Sequence, residues 1–512
     1  MAFRSLHVPL RSRPTKPYIP RQTANTREPA HLPLHRRLLF PYDPPDKPVP
    51  PLINGDSSDL VPINERLYHL IALLLRAYVL SWYPRFTRDR TLLPHIHQSI
   101  LRPILAPILT EIHDDPERLC EFLFDLPTLL SLHVETYWSA RAAVASGLVG
   151  QEGAKVTLAE EIGKAYHARL PLLSVELVCA TTDEPGSGFY TLSPLYLTSL
   201  SDAVLRLYLP TSEYGSDVER LMTREVMGRS VLGSVGNKLG QPSFWWSIGL
   251  KYLGEPASAS KSLKSALIES ETSFSATTAR LFTRLWTIVL LIWIIVTWIL
   301  AAVPSAPPIE DKYRGIADSW LHLARAALGV DGRAGLERPP WARRLVWYSV
   351  EMVTGLLAPI LDRLLPHLVK TRVLTHDTAL RIIDLLEQIL FPLDGHADSS
   401  PVVEPTYEES KEMRRRLDRR LGELIPSSAK AIFCPTSREV RAILDPLDHS
   451  SCNAHLVGMI LDASIAAVVP NLVVKHATVN TDEDHSDSQE DVKNAEEIVD
   501  LDDPILASLD SG

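Results

Sequence analysis

Cysteine is scarce in this chain. The four present, Cys120, Cys179, Cys434 and Cys452, are far apart and form no CxxC pair. That spacing excludes a disulfide framework or a Cys-based zinc cluster and points to a reducing compartment. Catalytic signatures are missing too. "GSVGNKLG" has neither the spacing nor the Lys-Ser/Thr pair of a phosphate loop, and "GRSVLG" places its glycine three residues after Ser230 instead of two. There is no HExxH, and His95 and His97, two apart in "PHIHQ", fall on different faces of a helix. No enzyme, no cofactor and no metal are expected. The first twenty residues lack the apolar run of a secretory signal, and their prolines break any amphipathic transit helix.

Glycine is also low, 23 residues against 40 prolines, and twelve of the prolines fall within the first 51 positions. Residues 1–55 therefore read as a disordered, Pro-rich basic arm. The net charge of −10 resides in the end of the chain: residues 481–512 hold twelve Asp/Glu and one Lys, a net of −11, leaving the rest near neutral. That balance gives no reason to expect nucleic acid. Residues 476–512 read as a disordered acidic tail, which offers a docking segment for protein partners.

Between the two ends the pattern is helical. "SDLVPINERLYHLIALLLRAYVLSWY" repeats apolar residues every three or four positions, at Leu67, Leu70, Leu74 and Tyr78. Asp115-Pro116-Glu117 forms a helix start, with an N-cap acid, Pro at the first turn and a further acid behind it. Residues 148–190 are mixed and read as loops around a short helix. No run alternates cleanly enough for a strand with paired turn signals, so the fold class is all-α.

"ERLYHLIALLLRAYVLSWYPRFTRDRTLLPHIHQSILRPI", "FDLPTLLSLHVETYWSARAAV" and "SEYGSDVERLMTREVMGRSVLGSVGNKLGQPSFW" together resemble the PXA (phox-associated) domain of the sorting-nexin family. In the rear half "ALRIIDLLEQILFPLDG", "KEMRRRLDRRLGELIP" and "LDHSSCNAHLVGMILDASIAAVVPNL" are similar to the nexin C-terminal domain. The implied organisation is a PXA domain over 56–255, a linker over 256–310, a nexin C-like domain over 311–475, and the two tails. Too few residues separate the blocks for a PX or RGS domain, so phosphoinositide recognition through a PX fold is not carried over. What the resemblance implies is a single helical unit enclosing an apolar, lipid-sized space. Candidate lining residues are Leu74, Leu130, Leu386, Ile460 and Leu461, with ordinary core packing as the competing reading of each.

The linker holds the longest apolar run. From Leu285 to Val303 there is no charge, and Thr287 and Thr297 are its only hydroxyls. As a helix it would be about 28 Å long, close to the thickness of a bilayer's hydrocarbon core. Leu285, Trp286, Ile292, Trp293, Ile295, Trp298 and Leu300 are the candidate membrane-inserting residues. If the halves share one unit, a single crossing is excluded. The run then re-enters with residues 345–361 as a second arm, lies at the interface, or is buried in the protein. Glu351, Thr354, Ala358 and Asp362 share a face of that second arm, so residues 345–361 read as amphipathic. The functional expectation is a membrane-associated, endomembrane (endoplasmic reticulum or endosome) protein, mostly cytosolic, that binds membrane phospholipids by their acyl chains. The alternative is a tether or trafficking scaffold without a lipid cavity.

Overall fold

The computed structural model describes residues 32–55, 58–85, 87, 91–147, 157–179, 188–210, 215–254, 313–336, 339–391, 406–425, 433 and 436–473. The whole of the 285–303 run and the acidic tail beyond 473 lie outside these residues, as does the arm before residue 32. The chain divides into two compact units, residues 1–472 and 473–512. Every element below belongs to the first.

The front half starts with α1 (Leu34–Leu39) and α2 (Leu60–Tyr78), followed by α3 (Leu92–Ile96), a π-helical turn (His97–Leu101) and α4 (Arg102–Asp114). α5 (Pro116–Ala145) is the central helix. Its start is the one the sequence announces: the Asp115 carboxylate accepts from the Glu117 N–H at 3.2 Å, and Pro116 occupies the first turn, where its missing N–H costs nothing. α6 (Leu158–Arg169) is capped by Thr157, whose hydroxyl accepts from the Glu160 N–H. An antiparallel hairpin of β1 (Val175–Cys179) and β2 (Gly188–Leu192) pairs Val175 with Leu192 and Leu177 with Tyr190. α7 (Pro194–Tyr208), α8 (Asp217–Glu225), a π-helical stretch (Val226–Leu232), α9 (Gly233–Gly240) and α10 (Pro242–Leu253) complete the half.

The rear half comprises α11 (Ile316–Leu328), α12 (Trp341–Leu368) with a π-helical turn (Val369–Val373), α13 (His376–Leu390), α14 (Tyr407–Leu424), α15 (Ser437–Ala442) and α16 (Ser450–Val468). Reciprocal Thr–Glu capping boxes start α14 (Thr406, Glu409) and α15 (Thr436, Glu439), satisfying two orphan N–H groups each. Gly329, at φ +63°, ends α11 in the left-handed conformation that a side chain would resist.

The halves interlock. α11 and α16 both pack on α5, α13 packs on α2, and α14 packs on α10. Gly249 makes the α10–α14 approach possible: a Cβ there would stand 2.9 Å from the Leu417 Cδ1. The all-α expectation holds for this body, with a helical PXA-like front packed against a helical rear.

Two local readings change. Residues 148–190 were expected to be loops around a helix, but the last stretch forms the β-hairpin. An isolated hairpin is marginal, and this one gains its stability from α16, which lies on β2. The arm expected to run unstructured to residue 55 is ordered from Leu34. Leu39 and Leu52 are buried against Tyr68 and Ile71 of α2, and the Asn64 Oδ1 accepts from the N–H groups of Leu52 and Ile53, each at 2.9 Å. Composition averages conceal those two short apolar patches among the prolines. α12 is amphipathic as expected, and its polar face points inward. The Glu351 carboxylate, half-buried, accepts from the Arg325 guanidinium and the Trp347 indole at 2.7 Å each, and Asp362, buried, accepts from the Gly315 N–H at 2.9 Å.

Candidate functional site

The joint between the halves centres on α5 and the first half of α16, where every residue from Ser451 to Met459 is buried. Such a surface brings polar groups inside, and each has to be paired. His133 of α5 sits between Tyr166 and the rear half: its Nδ1 lies 2.9 Å from the Tyr166 hydroxyl and its Nε2 3.2 Å from the Pro446 carbonyl. A carbonyl only accepts, so Nε2 carries the proton and Nδ1 accepts from the tyrosine. Burial holds this imidazole neutral, pushing its pKa down to about 4.

A second imidazole chain runs beside it. The His455 Nδ1 stands 2.8 Å from the Ser451 carbonyl, and its Nε2 stands 2.9 Å from the His167 Nδ1. By the same logic His455 donates to the carbonyl and accepts from His167. Burial lowers His455 to about 4 and lowers His167 as well. The Asn453 amide then donates to the Gly240 carbonyl at 3.2 Å and to Leu447 at 2.9 Å, tying α16 to the end of α9. Tyr196 of α7 donates to the Asp462 carboxylate.

Charge closes the rim. Arg414 of α14 is buried, yet it reaches the carboxylates of Asp418, Asp445 and Asp448 and the Arg441 carbonyl. Asp445 in turn accepts from Arg141 of α5 at 2.9 Å. Trp138 is covered by two guanidiniums, Arg141 of the front half at 5.0 Å and Arg333 of the rear half at 5.2 Å. Arg333 holds φ at +45°, a conformation retained because the joint fixes its side chain.

Around this tight joint the apolar packing loosens. α10 lies against α9 and α14 but buries none of its side chains completely, although it carries Phe244, Trp245, Trp246, Ile248 and Leu250. The indole N–H groups of Trp245 and Trp246 are shielded from solvent and have no acceptor. In the first half of α5, Phe122, Leu123, Phe124, Leu126, Leu129 and Leu130 are all only partly buried, as are Leu461 and Ile465 of α16. Close-packed interiors cover such residues fully.

Of the expected lining residues, Leu461 packs against the cluster of Val175, Leu192, Leu197 and Val457. Leu74, Leu130 and Ile460 are half-buried on α2, α5 and α16, while Leu386 of α13 is 38% exposed. A cleft of about 710 Å³ opens elsewhere, beside α4, and is bordered by Arg102, Glu111, Asp114 and Asp115. Its charged rim does not suit acyl chains. Among the described residues no group of three or more His, Cys, Asp and Glu is placed to hold a metal.

His95 and His97 separate as their spacing implies: His97 is buried 3.2 Å from the Tyr68 hydroxyl, and His95 stands at the surface by Ser99. The residues that sequence reasoning missed are Arg414, Asn453, His455 and the Trp245–Trp246 pair. Arg414 is hidden inside "KEMRRRLDRRL", where most arginines do lie on an exposed, salt-bridged face, as Arg415 and Arg419 do with Glu412. "NAH" in an otherwise apolar helix was the available signal for Asn453 and His455, since polar residues in such a run mark built hydrogen bonds.

Residues 61–252 match the family model of the PXA domain. The chain is similar to Sorting nexin-13 of Mus musculus, 25% identical over 185 residues, and to Sorting nexin-13 of Homo sapiens, 24% identical over 185 residues. Each match covers 36% of this chain and 18% of the relative, so the shared part is under a fifth of those proteins. No solved structure matches. The matched span begins in α2 and ends in α10, so the front half of the interlocked body carries the match to the PXA domain.

Proposed function

We propose that the protein is a non-enzymatic, membrane-associated factor of endomembrane trafficking whose interlocked helical body takes up lipid acyl chains. The observation that carries this reading is the contrast inside one body. A hydrogen-bonded joint holds the halves together, while α5, α10 and α16 leave large apolar side chains half-covered around it. A phospholipid fits both needs of such a site. Each CH₂ transferred from water to the apolar side chains gains about 0.8 kcal/mol, and an ester carbonyl supplies the acceptor that the Trp245 and Trp246 indoles lack. The PXA domain and the Sorting nexin-13 likeness support the trafficking setting, at the endoplasmic reticulum or endosome.

Because front and rear halves form one unit, they share one compartment, and we propose that it is the cytosol. The 285–303 run, with Leu285, Trp286, Ile292, Trp293, Ile295, Trp298 and Leu300, therefore anchors the body without separating its halves. Native mass spectrometry of the full chain tests the lipid reading. Co-purifying phospholipid, reduced when Trp245 and Trp246 are both changed to Phe, is expected. A lipid-free chain refutes it and leaves the tether or scaffold role. Tags at the two termini that prove accessible from opposite sides of intact microsomes would refute the shared compartment.

A further inference from the structure

Two described helices are long and apolar enough to cross a membrane: α12 with its following turn, Trp341–Val373, and α16. α16 is apolar because half of it is the core of the joint. No such reason applies to α12, of which only a small fraction is buried. Its partner is α11, reached through the inward face of Arg343, Trp347, Glu351 and Asp362. The opposite face carries Trp341, Leu345, Tyr348, Met352 and Leu356, each more than half exposed. These positions step by four and three residues, so they form one stripe of about 23 Å along the helix. A water-facing helix places its acids outward, and α12 turns both of its acids inward.

We propose that this stripe is a bilayer-contact surface on which the body lies against an anionic membrane leaflet. The inference rests on the membrane association proposed above and names the surface that makes it. Three features select a bilayer over a protein partner. The only acids between residues 341 and 373, Glu351 and Asp362, are both turned inward and bonded, so none opposes an anionic headgroup. Of the five basic residues in the same span, Arg343 is buried on Glu439 and Lys370 is bonded to Glu117, while Arg344 and Arg372 are exposed at its two ends. A tryptophan and a tyrosine with amphipathic rings stand on the stripe among aliphatic side chains, the composition of helices that lie in the headgroup–acyl boundary. The paired acids also exclude spanning, because crossing would expose Glu351 and Asp362 to hydrocarbon or break them from α11. α12 lies on the membrane, one face in lipid and one on α11.

A single reporter cysteine tests this in the full chain. Cys120 and Cys452 are buried, so Cys179→Ser and Cys434→Ser leave a background for a fluorophore at Met352→Cys or, as a second position, Leu356→Cys. Arg415→Cys, on the exposed face of α14, serves as the control. The protein is reconstituted in phosphatidylcholine–phosphatidylserine vesicles, floated, and exposed in turn to iodide and to doxyl-labelled lipid. Labels at 352 and 356 are expected to lose fluorescence to the doxyl lipid and to resist iodide, with the reverse at 415. Protein that floats while its 352 and 356 labels are quenched by iodide overturns this surface and leaves membrane association standing. Labels shielded from both quenchers also overturn it, by showing a protein cover: a second copy if shielding falls on dilution, another part of the chain if it does not. A chain that fails to float overturns both readings.

Discussion

Acidification should loosen the joint between the halves, and the size of the effect follows from His133 and His455. Both have folded pKa values of about 4, lowered mainly by burial, against an ordinary 6.5. The unfolded chain thus binds protons that the folded chain refuses. The stability these groups confer is fully present above about pH 6.5 and is lost as pH falls towards 4. Near pH 5 each imidazole costs about 2 kcal/mol relative to neutral pH, about 4 kcal/mol for the pair. That is a large part of a typical net stability of about 5–15 kcal/mol. Urea unfolding of the full chain in mild detergent, followed by tryptophan fluorescence between about pH 8 and pH 5, reads this directly. His133→Gln supplies the control, because its amide can still donate to the Pro446 carbonyl and accept from Tyr166 but does not titrate. The variant should recover about 2 kcal/mol of the acid-induced loss, to which His35 and His97, lowered by burial to about 4 as well, also contribute. A wild-type midpoint that stays level over this range would show that the two imidazoles are not held neutral inside, and the description of the joint would be wrong.

Arg414→Ala removes the cation shared by Asp418, Asp445 and Asp448, two of which burial already pushes towards protonation. A loss of about 3–5 kcal/mol in denaturant unfolding is expected. Asn453→Ala strips the donors from the Gly240 and Leu447 carbonyls and should cost about 1–3 kcal/mol by the same measurement. Gly249→Ala drives a methyl into Leu417 and should cost about 1–3 kcal/mol, part of which Leu417→Ala in the same chain restores. A double-mutant cycle with no coupling would show that α10 and α14 do not approach as described.

Local rules carried the reading of individual elements. Asp115-Pro116-Glu117 marks the start of α5 because capping depends on residues adjacent in the chain, and the three-and-four spacing from Leu67 to Tyr78 marks α2 for the same reason. The hairpin was illegible because β1 and β2 depend on α16, which lies far along the chain. The cover over individual apolar side chains was equally out of reach: Leu130 and Leu386 look alike as sequence, and only packing makes one half-buried and the other an exposed residue.

What the sequence alone determined is the helical class, the family likeness of the front half and the positions of the apolar runs, since periodicity and caps act over a few residues. The tertiary structure decided which side of each helix is inside. α12 carries the same alternation of polar and apolar faces whichever way it turns, and the Arg325–Glu351 and Gly315–Asp362 bonds are what face its acids inward and its tryptophan-bearing stripe outward.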